Sequence, residues 1–324
     1  MKAFYKELLL ERWGKRKTLP NTKRIKPRYP VNAERSYMRM MTELVDYINK
    51  PVVRMMTKAR WDRWLREYKG VHDSSVIVDG HSQDIHEMNL EMLERQREFF
   101  VVNPARSRKG VIAAVLGVGN AVDDIVEKAT NEFLEFTIGR GFDMRTPWTA
   151  SAVREWAESN YERITSLSQE HISKVNVMLR EAVAYGESWE SVTAKIEKLS
   201  GLTKNRAKLI AVDQIGKLNS KLTEYRQTEL GISTYYWRTA HDERVRGRPK
   251  PGKYPKAVPS HWDMEGVLCR WDDATMCSFD KGATWEKRGL RMPMEHAGQP
   301  IRCRCSSLGN IDDIIEEGRA ILGE

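Results

Sequence analysis

Apolar and polar positions alternate along most of this chain with the three- and four-residue steps of amphipathic helices. From Asn32 to Tyr68 the stripe is Tyr37, Met40, Met41, Leu44, Val45 and Ile48, continuing through Val53, Met56, Trp61, Trp64, Leu65 and Tyr68. Pro51 falls inside it and predicts a kink or break. Lys69 to Gln83 reads as loop, and Ile85 to Phe100 as a further amphipathic helix. Val111 to Thr137 is helical in pattern. Its LGVGN lacks the third glycine of a dinucleotide loop and follows no clear strand, so close helix packing is the expectation. Thr146-Pro147 is a helix start, and Val153, Ala157, Tyr161, Ile164, Ile172, Val175, Leu179 and Ala182 share one face up to Gly186. Ser188 to Leu199 predicts a shorter helix stopped by Gly201. Thr203 predicts the cap of a long one, with Ala207, Ala211, Gln214, Leu218, Leu222 and Tyr225 in a stripe and Gly231 closing it.

At residue 232 the texture changes. ISTYYWRTA has strand composition, followed by Pro/Gly-rich loops, short apolar pieces, all four cysteines and a short helix from Ile311. The fold class expected is α+β: a mostly helical N-terminal body of long amphipathic helices, then a small loop-rich α+β C-terminal module. The expected segments are 1–30, 31–145, 146–231 and 232–324.

Charge adds a feature that periodicity does not show. Residues 1–60 hold 16 Lys and Arg against five Asp and Glu, while the net charge of the whole chain is +9. The basic excess therefore lies in the first sixth, densest from Lys15 to Pro30 through Lys15, Arg16, Lys17, Lys23, Arg24, Lys26 and Arg28. With Pro20, Pro27 and Pro30 this stretch is expected to be an extended arm. Such an arm suits nucleic acid or an acidic protein surface, and equally a solvated tail that aids solubility. No run of apolar residues is long enough for a membrane span. Charge interrupts the apolar start (MKAFYKELLLERWGKRK) too soon for a secretory signal. A soluble, basic, intracellular protein is the expectation.

The C-terminal module has many loops for its apolar content, which calls for a staple, and without an export signal a metal is favoured over disulfides. Cys303-Arg304-Cys305 would point both sulfurs to one face in a strand, His296 lies seven residues earlier across a turn, and His261 supplies a fourth donor. Two imidazoles and two thiolates suit a tetrahedral structural Zn2+. The alternative is that the cysteines are buried thiols and His296 a turn residue. TAHDERVRGR, after the strand, offers Asp242, Glu243, Arg244 and Arg246 as catalytic carboxylates, a phosphate clamp or a salt-bridge lattice pinning a loop.

These residues carry a resemblance. AVDQIGKLNSKLTEYRQTELGI (211–232, with Asp213 and Gln214), YYWRTAHDERVR (235–246, with Trp237), SHWDMEG (260–266), VLCRWDD (267–273) and EHAGQPIRCRC (295–305) resemble, in order, the signature of the phage Mu F-like head morphogenesis family, the minor head proteins of tailed phages. PRYPVNAERSYMRMMTELV (27–45) resembles the start of many members more loosely. Val212 stands where an arginine is frequent, Gly247 to Pro259 is an insertion, and Ala297 replaces the proline of an H-P-G. Cys269 and Cys277 fall at apolar and variable positions and are expected to pack, not ligate.

The resemblance implies a minor head (capsid) protein in few copies, inside the virion head near the portal, and in the host cytoplasm during assembly. Its partners would be portal, major capsid or scaffolding proteins, with packaged phage DNA. It implies no established catalysis, and Asp242, Arg244, His261, His296, Cys303 and Cys305 carry over by motif position. The competing reading is a zinc-dependent nuclease or hydrolase acting on nucleic acid, with Asp242, His261 and His296 around a metal that keeps an open position. An appended effector domain is not expected in the 19 residues after Cys305.

Overall fold

The computed structural model describes residues 2–71 apart from 17 and 27, residue 90, and residues 108–322. The helix expected over 85–100 therefore lies outside the described residues, as do Lys17 and most of the 69–83 loop; 69–71 are helical. The fold is α+β and mostly helical, with seven helices among the described residues and one antiparallel sheet. The helices are α1 (Lys2–Trp13), α2 (Val31–Met55), α3 (Lys58–Val71), α4 (Arg108–Ile138), α5 (Pro147–Ala184), α6 (Trp189–Glu229) and α7 (Asp312–Leu322). The strands are β1 (Thr234–Arg238), β2 (Leu268–Arg270), β3 (Met276–Ser278), β4 (Glu286–Lys287) and β5 (Ser306–Gly309), in the order β4-β3-β2-β1-β5. None of the described helices is long and apolar enough to cross a membrane.

Several boundaries differ from the sequence expectation. α2 runs through Pro51 and ends at Met55, so the break falls at Met56–Thr57. Thr57 then caps α3, its hydroxyl oxygen accepting the Arg60 N–H at 3.3 Å. Gly201 does not stop a helix, and Thr203 is not a cap: α6 continues unbroken past both. An interior glycine costs about 1 kcal/mol of propensity, which long flanking turns tolerate. Thr203 turns its hydroxyl back to the Leu199 carbonyl at 3.0 Å. Thr146 does cap α5, receiving the Thr149 N–H at 3.2 Å.

The residues cluster into two compact units whose limits cut across the segments read from composition: residues 1–33, 119–153 and 212–324, and residues 34–118 and 154–211. The second unit is helical. Its core includes Tyr37, Met41, Leu44, Ile48, Trp61, Val175 and Leu179. Trp61 Nε1 donates to the Glu187 carbonyl at 2.8 Å, and Trp189 Nε1 to the Met56 carbonyl at 3.1 Å.

The first unit is built on the sheet. β1 is buried on both faces because Tyr236 points one way and Tyr235 and Trp237 the other. Tyr236, Leu268 and Leu308 pack with Tyr5 and Leu9 of α1, Phe133, Leu134 and Ile138 of α4, and Ile311 and Ile315 beside and within α7. Tyr235, Trp237, Cys269 and Cys277 face a layer of loops holding Met264, Val267, Trp271, Cys303 and Cys305. The module thus has an apolar interior, much of it supplied from distant segments. This also corrects the extended arm. Residues 2–13 are helical with Tyr5 and Leu9 buried, Thr22–Arg24 forms a 3₁₀ turn, and Leu19 and Ile25 pack against the same cluster.

Candidate metal centre

The loop-covered face of the sheet carries the chemistry. After β1 the chain makes a run of turns and returns to Ser260-His261, just before the 3₁₀ turn Trp262–Met264. The Arg246 carbonyl accepts from the backbone N–H groups of both His261 and Trp262 at 3.0 Å, while its guanidinium donates to the carbonyl of Ile301. One arginine thus ties the histidine loop to the cysteine loop.

Cys303 and Cys305 lie in a turn just before β5, not in a strand as expected. Cys303 N–H donates to the Pro300 carbonyl at 2.9 Å, and Arg302 adopts φ 59°. Cys305 N–H then donates to Cys303 Sγ at 3.4 Å, the turn bringing both sulfurs to one side. Gly216 of α6 makes room for this turn, since a Cβ there would lie 2.7 Å from the Cys303 carbonyl oxygen and 3.1 Å from that of Gly298.

The result is a buried three-donor cluster. His261 Nδ1 lies 3.3 Å from Cys303 Sγ and 3.6 Å from Cys305 Sγ, and one donor atom from each residue falls within 4.8 Å of the other two. Burial works against ionising the pair, but hydrogen bonds from Cys305 and His261 and the charge of His261 hold the Cys303 thiol well below its ordinary value. Cys305 is pushed well above, first by its hydrogen bond to Cys303 and then by burial. The Cys305 amide N–H points at Cys303 Sγ and favours a thiolate at that sulfur. His261 Nε2 is buried without a hydrogen-bond partner among the described residues, and its ring meets that of Trp237 edge-on at 5.7 Å. A His/Cys2 donor set in which Cys303 is the readily ionised sulfur fits a soft or borderline divalent ion, whose binding would displace the Cys305 proton.

The fourth expected donor is elsewhere. His296 Nδ1 bonds the Tyr235 hydroxyl at 3.1 Å and its ring lies 5.0 Å from Trp271, outside the three-donor cluster. Burial, and then the Arg288 charge, lower its pKa to about 4. Cys269 and Cys277 face each other across β2 and β3, and burial raises the Cys269 thiol to about 11.

The charged run after β1 forms a lattice. Asp242 lies 3.5 Å from Arg244 and 3.9 Å from Arg304, the residue between the two cysteines. Glu265 accepts the Thr239 N–H at 2.6 Å and lies 3.1 Å from Arg238 and 3.3 Å from His241. Asp213 pairs with Lys217 at 3.0 Å and accepts from Gln214 at 3.1 Å, within α6. Sequence reasoning missed Glu265 and Arg288. Arg288 is buried, stacks 5.5 Å from the Trp237 ring centre and donates to the carbonyls of Pro293 and Glu295 at 2.8 and 2.9 Å. No local pattern marks such a residue, because its role comes from a loop closing over a strand.

Of the basic arm, Lys15, Arg16, Arg24, Lys26 and Arg28 are exposed, and Lys23 sits in the 3₁₀ turn. Arg28 Nε donates to Glu132 at 2.8 Å, and Arg16 lies 4.8 Å over the Trp13 ring. Arg24, Lys26 and Arg28 line a shallow groove with Glu132 and Phe136.

A helix laid on a twisted sheet whose far face is closed by a His/Cys2 turn and an Arg/Asp lattice defines a small, pinned α+β module. Residues 173–308 match the family described as Phage Mu protein F like protein, and this stretch carries that family's region. The family is one of phage head morphogenesis. An uncharacterized protein of Haemophilus influenzae is 27% identical over 168 residues, which is 52% of this chain and 31% of that protein. The chain thus spans about a third of the length of the curated relative it matches. No solved structure matches it.

Proposed function

We propose that this chain is a minor head protein of a tailed phage, acting in head morphogenesis at the inner capsid or near the portal. The observation that carries the reading is the family match over 173–308, whose motif segments converge in three dimensions on one buried cluster. Asp242, Arg304, Arg246 and Glu265 are spent on holding loops, as a docking piece requires. The test is fractionation of procapsids and virions on a density gradient, followed by asymmetric reconstruction. The chain is expected in both particles in few copies; its absence from both would overturn the proposal.

In this reading His261, Cys303 and Cys305 hold a structural Zn2+, which would crosslink the loop after β1 to the turn before β5. Metal analysis of the purified full chain is expected to give about one zinc per chain, lost in Cys303→Ser and retained in His296→Asn. Retention of metal by Cys303→Ser would sink it. Three donors instead of four is the one observation that favours the nuclease or hydrolase alternative, since catalytic zinc keeps a position for water. Against it, His261, Cys303 and Cys305 are each 3% exposed, and Asp242 is engaged with arginines. Magnesium- or zinc-dependent cleavage of phage DNA by the full chain, abolished by His261→Ala, would reinstate it.

A further inference from the structure

The loops over the candidate metal centre expose a surface that the pinning lattice does not use. Three segments carry it, 244–262, 287–294 and 297–311, and they are tied together. Ser260 N–H donates to the Arg291 carbonyl at 2.7 Å, and Arg246 bridges to Ile301. Within the first, Gly247 N–H donates to the Tyr254 carbonyl at 3.0 Å, and Lys253 N–H reaches the carbonyl of Glu243, just before that segment, at 2.6 Å. Arg288 fixes the second through Pro293 and Glu295. The loops are therefore held in defined shapes.

Their tips nevertheless turn large apolar side chains to solvent. Leu290 is 93% exposed, Ile301 60% and Val258 59%, with Tyr254 and Met294 also out. Leaving such groups in water is unfavourable in proportion to the apolar area that burial would cover. Grouped exposure of this kind on a pinned scaffold marks an interaction site, unlike single scattered residues.

Charge says what covers it. The three segments contain six, three and two Lys or Arg. Arg244, Arg246, Arg288 and Arg304 are engaged in pinning the loops, and Glu243, Asp263, Glu286 and Glu295 are exposed at the segment ends, so the remaining cations concentrate in the Lys250–Lys256 run. Lys250, Lys253, Lys256, Arg291 and Arg302 are exposed around the apolar tips. Both DNA and an acidic protein would answer the charge, but a phosphate backbone gains nothing by drying a leucine or an isoleucine. An apolar centre within a charged rim is the anatomy of a protein interface.

We propose that these three loops form a docking surface for an acidic protein, with Leu290, Ile301 and Val258 entering apolar depressions on the partner and the lysines of 250–256 meeting its carboxylates. The proposal is argued from these side chains alone and does not depend on the head-protein reading.

The test is photocrosslinking from the full chain in its native genetic setting, with benzoylphenylalanine placed singly at Val258, Leu290 or Ile301 and at Tyr185 as a control. All three loop positions are expected to give an adduct with one and the same protein, identified by mass spectrometry as acidic, and Tyr185 is not. Lys250→Glu, Lys253→Glu and Lys256→Glu together should lower the adduct yield about tenfold without changing the melting temperature. Absence of a common protein adduct, adducts with DNA in its place, or a yield indifferent to charge reversal would each overturn the proposal. Particle fractionation reports on the head-protein reading separately.

Discussion

Arg226 is fully enclosed and pairs with Asp123 at 2.8 Å, leaving Nε and Nη1 without hydrogen-bond partners among the described residues. Removing a buried cation's counterion costs more than the pair itself contributes, because the charge stays desolvated. Asp123→Ala is therefore expected to destabilise the protein by about 3–5 kcal/mol in urea titrations, and Arg226→Met by clearly less. His171 makes a pH prediction. Its Nε2 meets Asn49 Oδ1 at 2.7 Å and its Nδ1 meets Thr203 Oγ1 at 2.9 Å, and burial, then Lys174, lower its pKa from 6.5 to about 4. Below 6.5 the unfolded chain binds a proton that the folded chain refuses, so stability is complete above that pH and is lost as pH falls toward 4. His171→Gln is expected to flatten this part of the pH–stability curve between pH 4.5 and 7; an equally steep curve would refute the assignment. At this scale the sequence was partly legible. A C-x-C pair and a histidine on a separate loop announced His261, Cys303 and Cys305 as candidate donors, and the fold brings those three together. Spacing alone could not tell that Tyr235 claims His296, because that depends on which face of β1 the tyrosine occupies.

Two glycines of α6 separate what an element needs from what it tolerates. Gly201 has open space around its Cα, so Gly201→Ala is expected to stabilise by about 0.5–1 kcal/mol through helix propensity. Gly216→Ala meets the carbonyl oxygens of Cys303 and Gly298 and is expected to cost about 1–3 kcal/mol and, if the His/Cys2 cluster holds zinc, to lower the zinc content. Thermal melts of both variants with zinc content measured alongside decide it. If both alanines stabilise, the close approach of helix and turn is wrong. The helices themselves were readable because 3.6-residue periodicity is written in every turn. Glycine and proline misled where their local cost was small against a long helix, at Gly201 and Pro51. The helix at Lys2–Trp13 was hidden because its Leu9 and Tyr5 serve a core assembled 124 to 310 residues away in sequence, beside Phe133, Ile138, Ile311 and Ile315. Charge density there dominated the composition, and tertiary burial overrode it.

Across the whole molecule, the position of the first thirty residues changes how the DNA question must be asked. Deleting them would strip Tyr5 and Leu9 from the apolar face of the sheet, so a truncated chain would lose binding through unfolding alone. Side-chain neutralisation keeps the core. Arg24 and Lys26 are exposed at the groove, whereas Arg28 is engaged by Glu132 and Arg16 by Trp13. Each cation that neutralises a phosphate contributes about 0.9 to the slope of log affinity against log salt for duplex DNA. If the arm meets packaged DNA, Arg24→Gln with Lys26→Gln should reduce that slope by about 2 in fluorescence anisotropy with mixed-sequence duplexes, with no change in sequence preference. Arg28→Gln should reduce it less, because binding must first break the Glu132 pair. Glu132→Gln frees Arg28 and should steepen the slope. These three variants move the slope in two directions from one surface, which a nonspecific loss of fold cannot imitate. Slopes that ignore all three substitutions would assign the groove to a protein surface instead.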